Sequence, residues 1–241
     1  VGSTRDLHAA GAIHTQLLAP LSVSDELSAQ RLKWDARYRD ANAAEAQPSY
    51  VLHTYQHLLP AQGRALDVAC GLGGNALSLA RHGLNTEAWD ISAVAIEKLE
   101  KIAADRRLSV QAQVRDVCAQ PPAAGCFDVI VVVHFLERTL ASRLVEALRP
   151  QGLLFYQTFT EARVGATGPP SGPYRLADNE LRELFSALRL RAYREEALAG
   201  DLTAGWRNEA LLVGQIMPSS RLEPISKSPA SCAGRSWGLL R

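Results

Sequence analysis

Apolar and polar residues follow two different periods along this chain, and each change of period predicts a change of secondary structure. Runs of strand length occur five times before residue 160: 65–69, 86–90, 109–115, 127–133 and 153–159. Between them, apolar residues recur at helical spacing over 76–82, 92–105 and 138–148. The run at 127–133 is the most hydrophobic of the chain, which predicts a strand buried on both faces at the centre of a sheet.

Two helices are predicted ahead of the first strand. Residues 25–45 are rich in Ala, Arg and Glu, with apolar residues spaced for one face, and residues 50–59 form the second helical segment. Residues 1–22 show no clear period, and residues 218–241 are rich in Ser, Pro and Arg. We therefore expect a mobile N-terminus, a single domain at 23–217 and a disordered tail.

The alternation of strand and helix changes after the fifth strand. Residues 160–177 contain six glycines and prolines, a composition typical of a long loop beside an active site. A helix is predicted at 178–188, and strands at 189–195 and 209–217 are close enough for an antiparallel pair. The whole pattern predicts an α/β fold: a Rossmann-like seven-stranded sheet, mostly parallel with an antiparallel C-terminal hairpin, and helices on both faces.

A cluster of glycines follows the first strand. Gly71, Gly73 and Gly74 separate that strand from the helix at 76–82. Glycine permits positive φ and the close approach of a ligand, and the start of a helix offers unpaired N–H groups. Ligands of doubly wound sheets bind at the carboxyl ends of the strands. The turn therefore predicts a site for a nucleoside-type cofactor.

Two classes of cofactor fit such a turn. Gly71, Gly73 and Ala76 satisfy the G-x-G-x-x-A fingerprint of dinucleotide sites, with Asp90 about 20 residues further on. However, Asp67 at the end of the strand would repel a pyrophosphate and attract a cation. S-adenosylmethionine carries a sulfonium and an ammonium in place of pyrophosphate, so these residues favour it over NAD.

Charge and hydropathy argue against two kinds of partner, nucleic acids and membranes. Twenty-six basic residues are balanced by 25 acidic ones, for a net charge of +1, which argues against a nucleic-acid partner. No apolar run reaches the length of about 18 residues that a membrane span needs, and the N-terminus lacks the layout of a signal peptide. We expect a cytoplasmic protein with no membrane partner.

Cysteines and histidines give no sign of a metal site. Cys70, Cys118 and Cys126 lie in or beside predicted strands, without C-x-x-C spacing, and we expect small buried apolar residues there. His53 and His57 are spaced as two metal ligands on one helix would be, but no third ligand accompanies them. We predict no metal.

Four motifs at the strand ends carry a family resemblance. They are Leu-Asp-Val-Ala-Cys-Gly-Leu-Gly-Gly at 66–74, Trp-Asp-Ile-Ser at 89–92, Arg-Asp-Val-Cys at 115–118 and Phe-Asp-Val-Ile-Val-Val-Val-His at 127–134. With the antiparallel closing hairpin, they make the sequence resemble the class I S-adenosylmethionine-dependent methyltransferases. The resemblance covers residues 60–217 and implies that fold, that cofactor and a methyl transferase activity.

A finer likeness lies outside these motifs. Trp-Asp-Ala-Arg-Tyr at 34–38, Gly-Pro-Pro at 168–170, Tyr-Arg-Leu at 174–176 and Asn-Glu-Leu at 179–181 are similar to the branch of tellurite-resistance and thiopurine-type methyltransferases. That branch methylates small, soft acceptors, and an aromatic residue of its N-terminal helix closes over the cofactor. The likeness implies cofactor contact by Trp34 or Tyr38 and a thiol, selenium or tellurium oxyanion as acceptor.

The family resemblance also implies roles for the glycines and acids of the first two strands. Gly71 and Gly73 would pass under the methionine and ribose parts of the cofactor. Asp67 would sit near its ammonium, and Asp90 would accept hydrogen bonds from both ribose hydroxyls.

Further along the chain, the resemblance implies contacts with the adenine and the ammonium. Asp116 would accept from the adenine amino group, with Val117 and Ile91 packing on the two faces of the ring. His134 would offer its backbone carbonyl to the ammonium.

The sequence also offers candidate residues for catalysis and for binding the methyl acceptor. His134 and Arg138 are the candidate catalytic residues, because they follow the central strand and lie near the expected position of the methyl group. Arg138, Tyr174, Arg175 and Arg207 are candidate substrate residues. A soft anion needs no general base, whereas an amine or hydroxyl acceptor would need one within hydrogen-bond reach.

Two other functions stay open at this point. A nicotinamide-dependent oxidoreductase would share the glycine turn, although the sequence has no Tyr-x-x-x-Lys pair for hydride chemistry. A non-catalytic module that binds S-adenosylmethionine would keep nearly all of these residues. We expect a small-molecule methyl acceptor, but the sequence predicts neither its identity nor the oligomeric state.

Overall fold

One seven-stranded sheet runs through the computed structural model, which describes residues 23–217. Its strands are β1 (Arg64–Val68), β2 (Asn85–Asp90), β3 (Val110–Val114), β4 (Phe127–Val133), β5 (Leu148–Phe159), β6 (Arg189–Glu195) and β7 (Glu209–Gln215). Their order is β3-β2-β1-β4-β5-β7-β6, and only β7 runs antiparallel to its neighbours. The predicted fold class is confirmed. The predictions for residues 1–22 and 218–241 lie outside the described residues.

Strand β4 lies at the centre of the sheet, as its apolar sequence predicts. Ile130 and Val132 pack into the core on one face, and Val129 and Val131 pack into the core on the other. All four side chains are fully buried. A continuous apolar run is required where both faces of a strand are covered, which is why this strand was the easiest to locate.

Helices cover both faces of this sheet. The described residues form α1 (Val23–Arg39), α2 (Tyr50–Tyr55), α3 (Gly74–His82), α4 (Ala93–Asp105), α5 (Ala141–Ala147) and α6 (Glu180–Leu184). Leu52 of α2 and Leu79 of α3 join the core on one face, and Leu144 of α5 and Leu181 of α6 join the core on the other. Within residues 23–217, no helix combines the length and apolar character needed to cross a bilayer.

The two predicted helices after β4 are shorter than their sequence patterns. The helix predicted at 138–148 ends at Ala147, because Leu148 is already extended and pairs with β4. The helix predicted at 178–188 ends at Leu184, and the chain then turns toward β6.

The cysteines differ from one another in burial. Cys126 is buried, as expected, and Cys70 is partly buried at the glycine turn. The expectation is wrong for Cys118, which is exposed. Asp116 Oδ1 accepts from the Cys118 N–H at 2.9 Å, and this turn leaves the Cys118 side chain on the surface.

Helix α1 ends at Arg39 rather than at residue 45 as predicted, because α4 caps it. The ammonium of Lys98 donates to the carbonyls of Tyr38, Arg39 and Ala41 at 2.8, 2.6 and 2.7 Å. The last carbonyls of a helix lack partners within it, and a cation at this end is favourable. Lys98 is about 60 residues away in sequence, so no local pattern could reveal this cap.

A second contact holds α1 against the start of α4. Asp35 Oδ1 accepts from Ser92 Oγ at 2.5 Å and from the Val94 N–H at 3.3 Å. Ser92 itself caps α4 as predicted, since its hydroxyl accepts from the Ala95 N–H. The two helices are therefore bound together by polar contacts at both ends of their interface.

Replacing Lys98 with methionine is expected to loosen α1, because methionine keeps the aliphatic stem and removes the hydrogen bonds to three carbonyls. We expect amide hydrogen exchange in α1 to rise about tenfold and the free energy of unfolding to fall by about 1–2 kcal/mol. The matched control is Lys101→Met, on the exposed side of the same helix. Equal exchange rates in the two variants would show that Lys98 does not hold α1.

Candidate active site

A cleft of about 1190 Å³ opens at the carboxyl ends of the first five strands. Its wall includes Cys70 after β1, Asp90 at the end of β2, Asp116 after β3, His134 after β4 and Phe159 at the end of β5. Sites for one drug-sized ligand usually measure about 300–1,000 Å³. The cleft therefore has room for a nucleoside-type cofactor and a second small molecule.

Two of the glycines after β1 allow close approaches that a larger residue would block. Gly71 has a φ of +51° and donates its N–H to Asp90 Oδ2 at 2.8 Å, and a Cβ at this position would lie 2.8 Å from the Tyr38 hydroxyl. Gly73 has a φ of +77°, and a Cβ there would lie 2.3 Å from Leu99 of α4. Gly71 lines the cleft, whereas Gly73 does not and is needed for packing against α4.

Asp67 lies beneath this turn and does not form part of the cleft wall. It is 1% exposed, and its Oδ2 accepts from the Ala76 N–H at 3.0 Å. Its Oδ1 is buried with no hydrogen-bond partner among the described residues. Burial raises the pKa of Asp67 to about 7, although the Ala76 N–H and the Asn75 amide act in the opposite direction. A buried carboxylate with an unused oxygen suits a cationic group, reached directly or through one water.

Cofactor affinity is expected to increase with pH, because only ionised Asp67 attracts an ammonium. With a pKa of about 7, the ionised fraction rises about tenfold between about pH 6 and pH 8, and the association constant follows it. Calorimetric titration of S-adenosylmethionine at several pH values measures this change. The Asp67→Asn variant controls for titration of the ligand itself, and an identical pH dependence in both proteins would remove Asp67 from the ammonium site.

The same pKa shift has an opposite effect on stability. The folded-state pKa is raised from the usual 3.8 to about 7, so between these values the folded protein holds a proton that the unfolded chain has lost. The contribution of Asp67 to the free energy of unfolding is therefore present below the unfolded pKa and is lost as pH rises through the folded pKa. Asp67→Asn should lose this part of the pH dependence in chemical denaturation.

Two further carboxylates line the cleft at the ends of β2 and β3. Asp90 accepts from the Gly71 and Ser92 N–H groups, both at 2.8 Å, one on each oxygen, and burial raises its pKa. The Ile91 N–H also acts on this carboxylate. Because a carboxylate has about four lone-pair sites in all, sites remain for a ligand. Asp116 uses Oδ1 to accept from the Cys118 N–H. The structure thus brings the three predicted acids to one edge of the sheet, two of them in the cleft wall.

Apolar and aromatic residues line the same part of the cleft. Ile91 and Val117 lie beside Asp90 and Asp116, and Trp34 and Tyr38 of α1 also line the cleft, with their rings stacked at 5.9 Å. Burial and the nearby Asp90 raise the pKa of Tyr38, so its hydroxyl keeps its proton. These positions match the roles expected from the sequence, while contact with a bound cofactor stays a prediction.

His134 lies where the cleft continues past β4. Its φ is +53°, a left-handed conformation that few non-glycine residues adopt. Its Nε2 lies 2.9 Å from Glu209 Oε1, and its ring stacks on Phe159 with centroids 4.5 Å apart. Glu209 Oε2 in turn accepts from Gln157 Nε2 at 2.5 Å. These contacts orient the imidazole at the cleft wall.

Glu209 and Gln157 were not predicted as site residues from the sequence. A signal for Glu209 was present, because it begins the strand predicted to close the sheet in the antiparallel direction. In the structure Glu209 pairs with Phe159, the last residue of β5. Because β7 runs antiparallel to its neighbour β5, it starts at the edge of the sheet where β5 ends. The first residue of β7 must therefore lie at the active-site edge.

The four predicted substrate residues differ in position. Tyr174 is 56% exposed and lines the cleft. Arg138 pairs with Glu180 at 2.5 Å, the fully buried Arg175 donates to backbone carbonyls, and Arg207 donates to carbonyls between residues 196 and 204. None of the three arginines lines the cleft. The expectation of direct acceptor contact is corrected for them, since their guanidinium groups bind other parts of the chain.

No metal cluster is found among residues 23–217: His, Cys, Asp and Glu side chains do not gather there in groups of three. The described residues instead fit the predicted cofactor. A glycine turn admits a ligand, two carboxylates at the wall can accept hydroxyl and amino hydrogens, and the unpaired Asp67 oxygen beneath them suits a cation. A pyrophosphate at the glycine turn would be repelled by these carboxylates.

Comparisons with known proteins point to the same cofactor. A family model described as a methyltransferase domain matches residues 65–152. A ubiquinone biosynthesis O-methyltransferase of Xanthomonas axonopodis pv. citri (strain 306) is 29% identical over 199 residues, covering 74% of this chain and 82% of that protein.

Two solved structures share the fold. TehB from Haemophilus influenzae has a TM-score of 0.56 and 20% identity, over 69% of this chain and 61% of that chain. A SAM-dependent methyltransferase from Methanosarcina mazei has a TM-score of 0.55 and 19% identity, over 72% of this chain and 100% of that chain. The methyltransferase match removes the nicotinamide alternative. The chain belongs to the class I S-adenosylmethionine-dependent methyltransferases, and S-adenosylmethionine is its cofactor.

Proposed function

We propose that this enzyme methylates a hydroxyl group of a small aromatic molecule. The observation that carries the proposal is the His134–Glu209 pair at the cleft wall. A hydroxyl acceptor must lose a proton during methyl transfer, and a histidine oriented by a carboxylate is suited to take it. Relatives named as ubiquinone biosynthesis O-methyltransferases support an oxygen acceptor.

Glu209 determines which nitrogen of His134 is basic. Because Nε2 donates its hydrogen to Glu209 Oε1, the lone pair of the neutral imidazole lies on Nδ1. The hydrogen bond to Glu209 uses Nε2, which leaves Nδ1 for the hydroxyl group of the acceptor. Bound S-adenosylmethionine supplies a methyl group whose bonding electrons leave with the sulfur. His134 Nδ1 takes the hydroxyl proton, Glu209 stabilises the imidazolium, and the proton passes to solvent, since 45% of the His134 side chain is exposed.

Gln157 of β5 connects the His134–Glu209 pair to helix α2. Gln157 of β5 is buried, donates to Glu209, and accepts from the Val51 N–H of α2 at 2.8 Å. Glu209 is therefore held on two sides, by His134 and by Gln157. Orientation of this kind reduces the reorganisation needed during proton transfer.

The cleft near His134 suits a flat acceptor. Phe135, Phe159 and Tyr174 line it there, and aromatic side chains bind planar rings by offset stacking and burial. The three acids and Trp34 lie toward the other end, around the glycine turn. We assign that end to the cofactor and the end beside His134 to the acceptor.

A soft heteroatom acceptor, expected from the finer sequence likeness, is the alternative. A thiolate or a chalcogen oxyanion carries no proton that must be removed, so it would leave the His134–Glu209 pair without a use. Formation of S-adenosylhomocysteine should be measured with a matched panel of catechol, phenol, thiophenol, selenite and tellurite. We expect turnover with the hydroxyl compounds, and turnover with the soft acceptors alone would overturn the proposal.

A further inference from the structure

The segment 160–177, here called the acceptor loop, contains no helix, yet one arginine holds it in place. The Arg175 guanidinium is fully buried. It donates to the carbonyls of Pro169 at 2.8 Å and Thr160 at 2.6 Å, and also to that of Thr167. These three carbonyls are spread over ten residues of the loop. A planar fork of five donors can join them in a way that a lysine cannot.

A second arginine fixes the far end of the acceptor loop. Arg138 binds both carboxylate oxygens of Glu180, at 2.5 and 2.9 Å, and donates to the carbonyls of Pro173 and Arg175 at 2.6 and 3.0 Å. Glu180 also accepts from the Ala177 N–H at 2.8 Å. The start of α6 is thereby joined to the loop and to the turn after β4.

The inner side of the acceptor loop forms the cleft wall next to His134. Gly168, Pro169, Pro170 and Tyr174 all line the cleft. Gly168 has a φ of +81°, and a Cβ there would lie 2.5 Å from the ring of Phe159. Phe159 is the ring on which His134 stacks. The position of the loop is therefore coupled to the surface that supports the imidazole.

The buried charge of Arg175 depends on its partners. It bonds to neutral carbonyls and to no carboxylate in the described part of the chain, and its guanidinium lies 5.6 Å from the Phe159 ring centroid. A buried charge needs hydrogen bonds on every side to be tolerated. The three carbonyls accept its hydrogen bonds, and the Phe159 ring lies beside the guanidinium, only when the loop has this conformation. Arg175 therefore selects one arrangement of the cleft wall.

We propose that Arg175 is a positioning residue that preforms the acceptor loop, and that Tyr174 and the Gly168-Pro169-Pro170 turn of this loop select the acceptor. The inference rests on the proposed function, because it assigns this end of the cleft to the acceptor. It corrects the sequence-based view that Arg175 contacts the substrate itself. A preformed wall spares the acceptor the entropy of ordering the loop when it binds.

The experiment compares Arg175→Lys and Tyr174→Ala with the control Arg182→Lys, an exposed arginine of α6. We expect KM for the acceptor identified in the panel to rise about tenfold in both test variants, with kcat and the S-adenosylhomocysteine Kd within about twofold of wild type. The control should match wild type in every respect. Unchanged KM in both variants, or an equal loss of cofactor binding, would overturn the inference.

A readout without substrate separates this inference from the proposed function. Amide hydrogen exchange of residues 160–177, measured with S-adenosylhomocysteine bound and no acceptor, should be faster in Arg175→Lys by about tenfold and unchanged in Tyr174→Ala. Unchanged exchange in Arg175→Lys would overturn the role of the arginine, whatever the acceptor is. A failure of the hydroxyl panel would instead overturn the proposed function and leave this comparison valid.

Discussion

An Asp90→Ala enzyme is expected to bind S-adenosylmethionine at least about 100-fold more weakly than wild type. Asp90 lies at the cleft wall with lone pairs left for a ligand, and two charge-assisted hydrogen bonds to ribose hydroxyls contribute roughly 3 kcal/mol or more together. Its substitution also leaves the Gly71 N–H without the acceptor now at 2.8 Å, so the glycine turn loses a support. Calorimetric titration with S-adenosylmethionine and S-adenosylhomocysteine measures both losses.

The control for this prediction is a second carboxylate that also accepts a backbone hydrogen bond but lies away from the cleft. Asp128 accepts from the Arg64 N–H at 2.7 Å and pairs with Arg149 at 2.8 Å, and it does not line the cleft. Asp128→Ala should lower the free energy of unfolding and leave the Kd near the wild-type value. If Asp90→Ala bound the cofactor within about threefold of wild type, the assignment of the ribose site to Asp90 would be wrong.

A His134→Asn enzyme is expected to lose about 10²- to 10⁴-fold in kcat with hydroxyl acceptors, the range typical for removal of a general base. Asparagine is the suitable replacement because it tolerates the left-handed backbone, here at a φ of +53°, better than alanine does. The backbone carbonyl of residue 134 stays in place, so cofactor affinity should change by less than about threefold. Steady-state kinetics and calorimetry on one preparation give both quantities.

Two comparisons make this prediction specific. Glu209→Gln should give an intermediate loss of kcat, because the imidazole loses the carboxylate that sets its tautomer. His57→Asn, at an exposed position before β1, should behave as wild type. An acceptor whose turnover is unaffected in His134→Asn would be one that needs no base, as expected for a soft anion.

The sheet was predictable because its signals are local. Glycine clusters, apolar runs and helical spacing are read within windows of about 20 residues, and they located all seven strands with the correct central strand. Asp67, Asp90 and Asp116 also came from local rules, since an acid at the end of a parallel strand must lie at the ligand-binding edge. Their relation to one another then followed from the topology.

The remaining features depend on contacts between distant parts of the chain. The end of α1 is determined by Lys98, and His134 is oriented by Glu209, 75 residues further along. The roles of the arginines were missed for a different reason. A side chain that binds backbone carbonyls leaves no pattern in the sequence, because every residue has a carbonyl. Arg175 was therefore predicted to contact the substrate, whereas in the structure its guanidinium binds three backbone carbonyls.

The position of the transferred methyl group shows whether His134 and Glu209 activate a hydroxyl. The enzyme should be incubated with S-adenosylmethionine labelled with ¹³C at the methyl carbon and with a catechol that also carries a thiol, and the product examined by NMR. We expect a methyl ether, formed by wild type and lost in His134→Asn. A thioether as the sole product, formed equally well by both proteins, would contradict the assignment of His134 and Glu209 as the base that activates a hydroxyl.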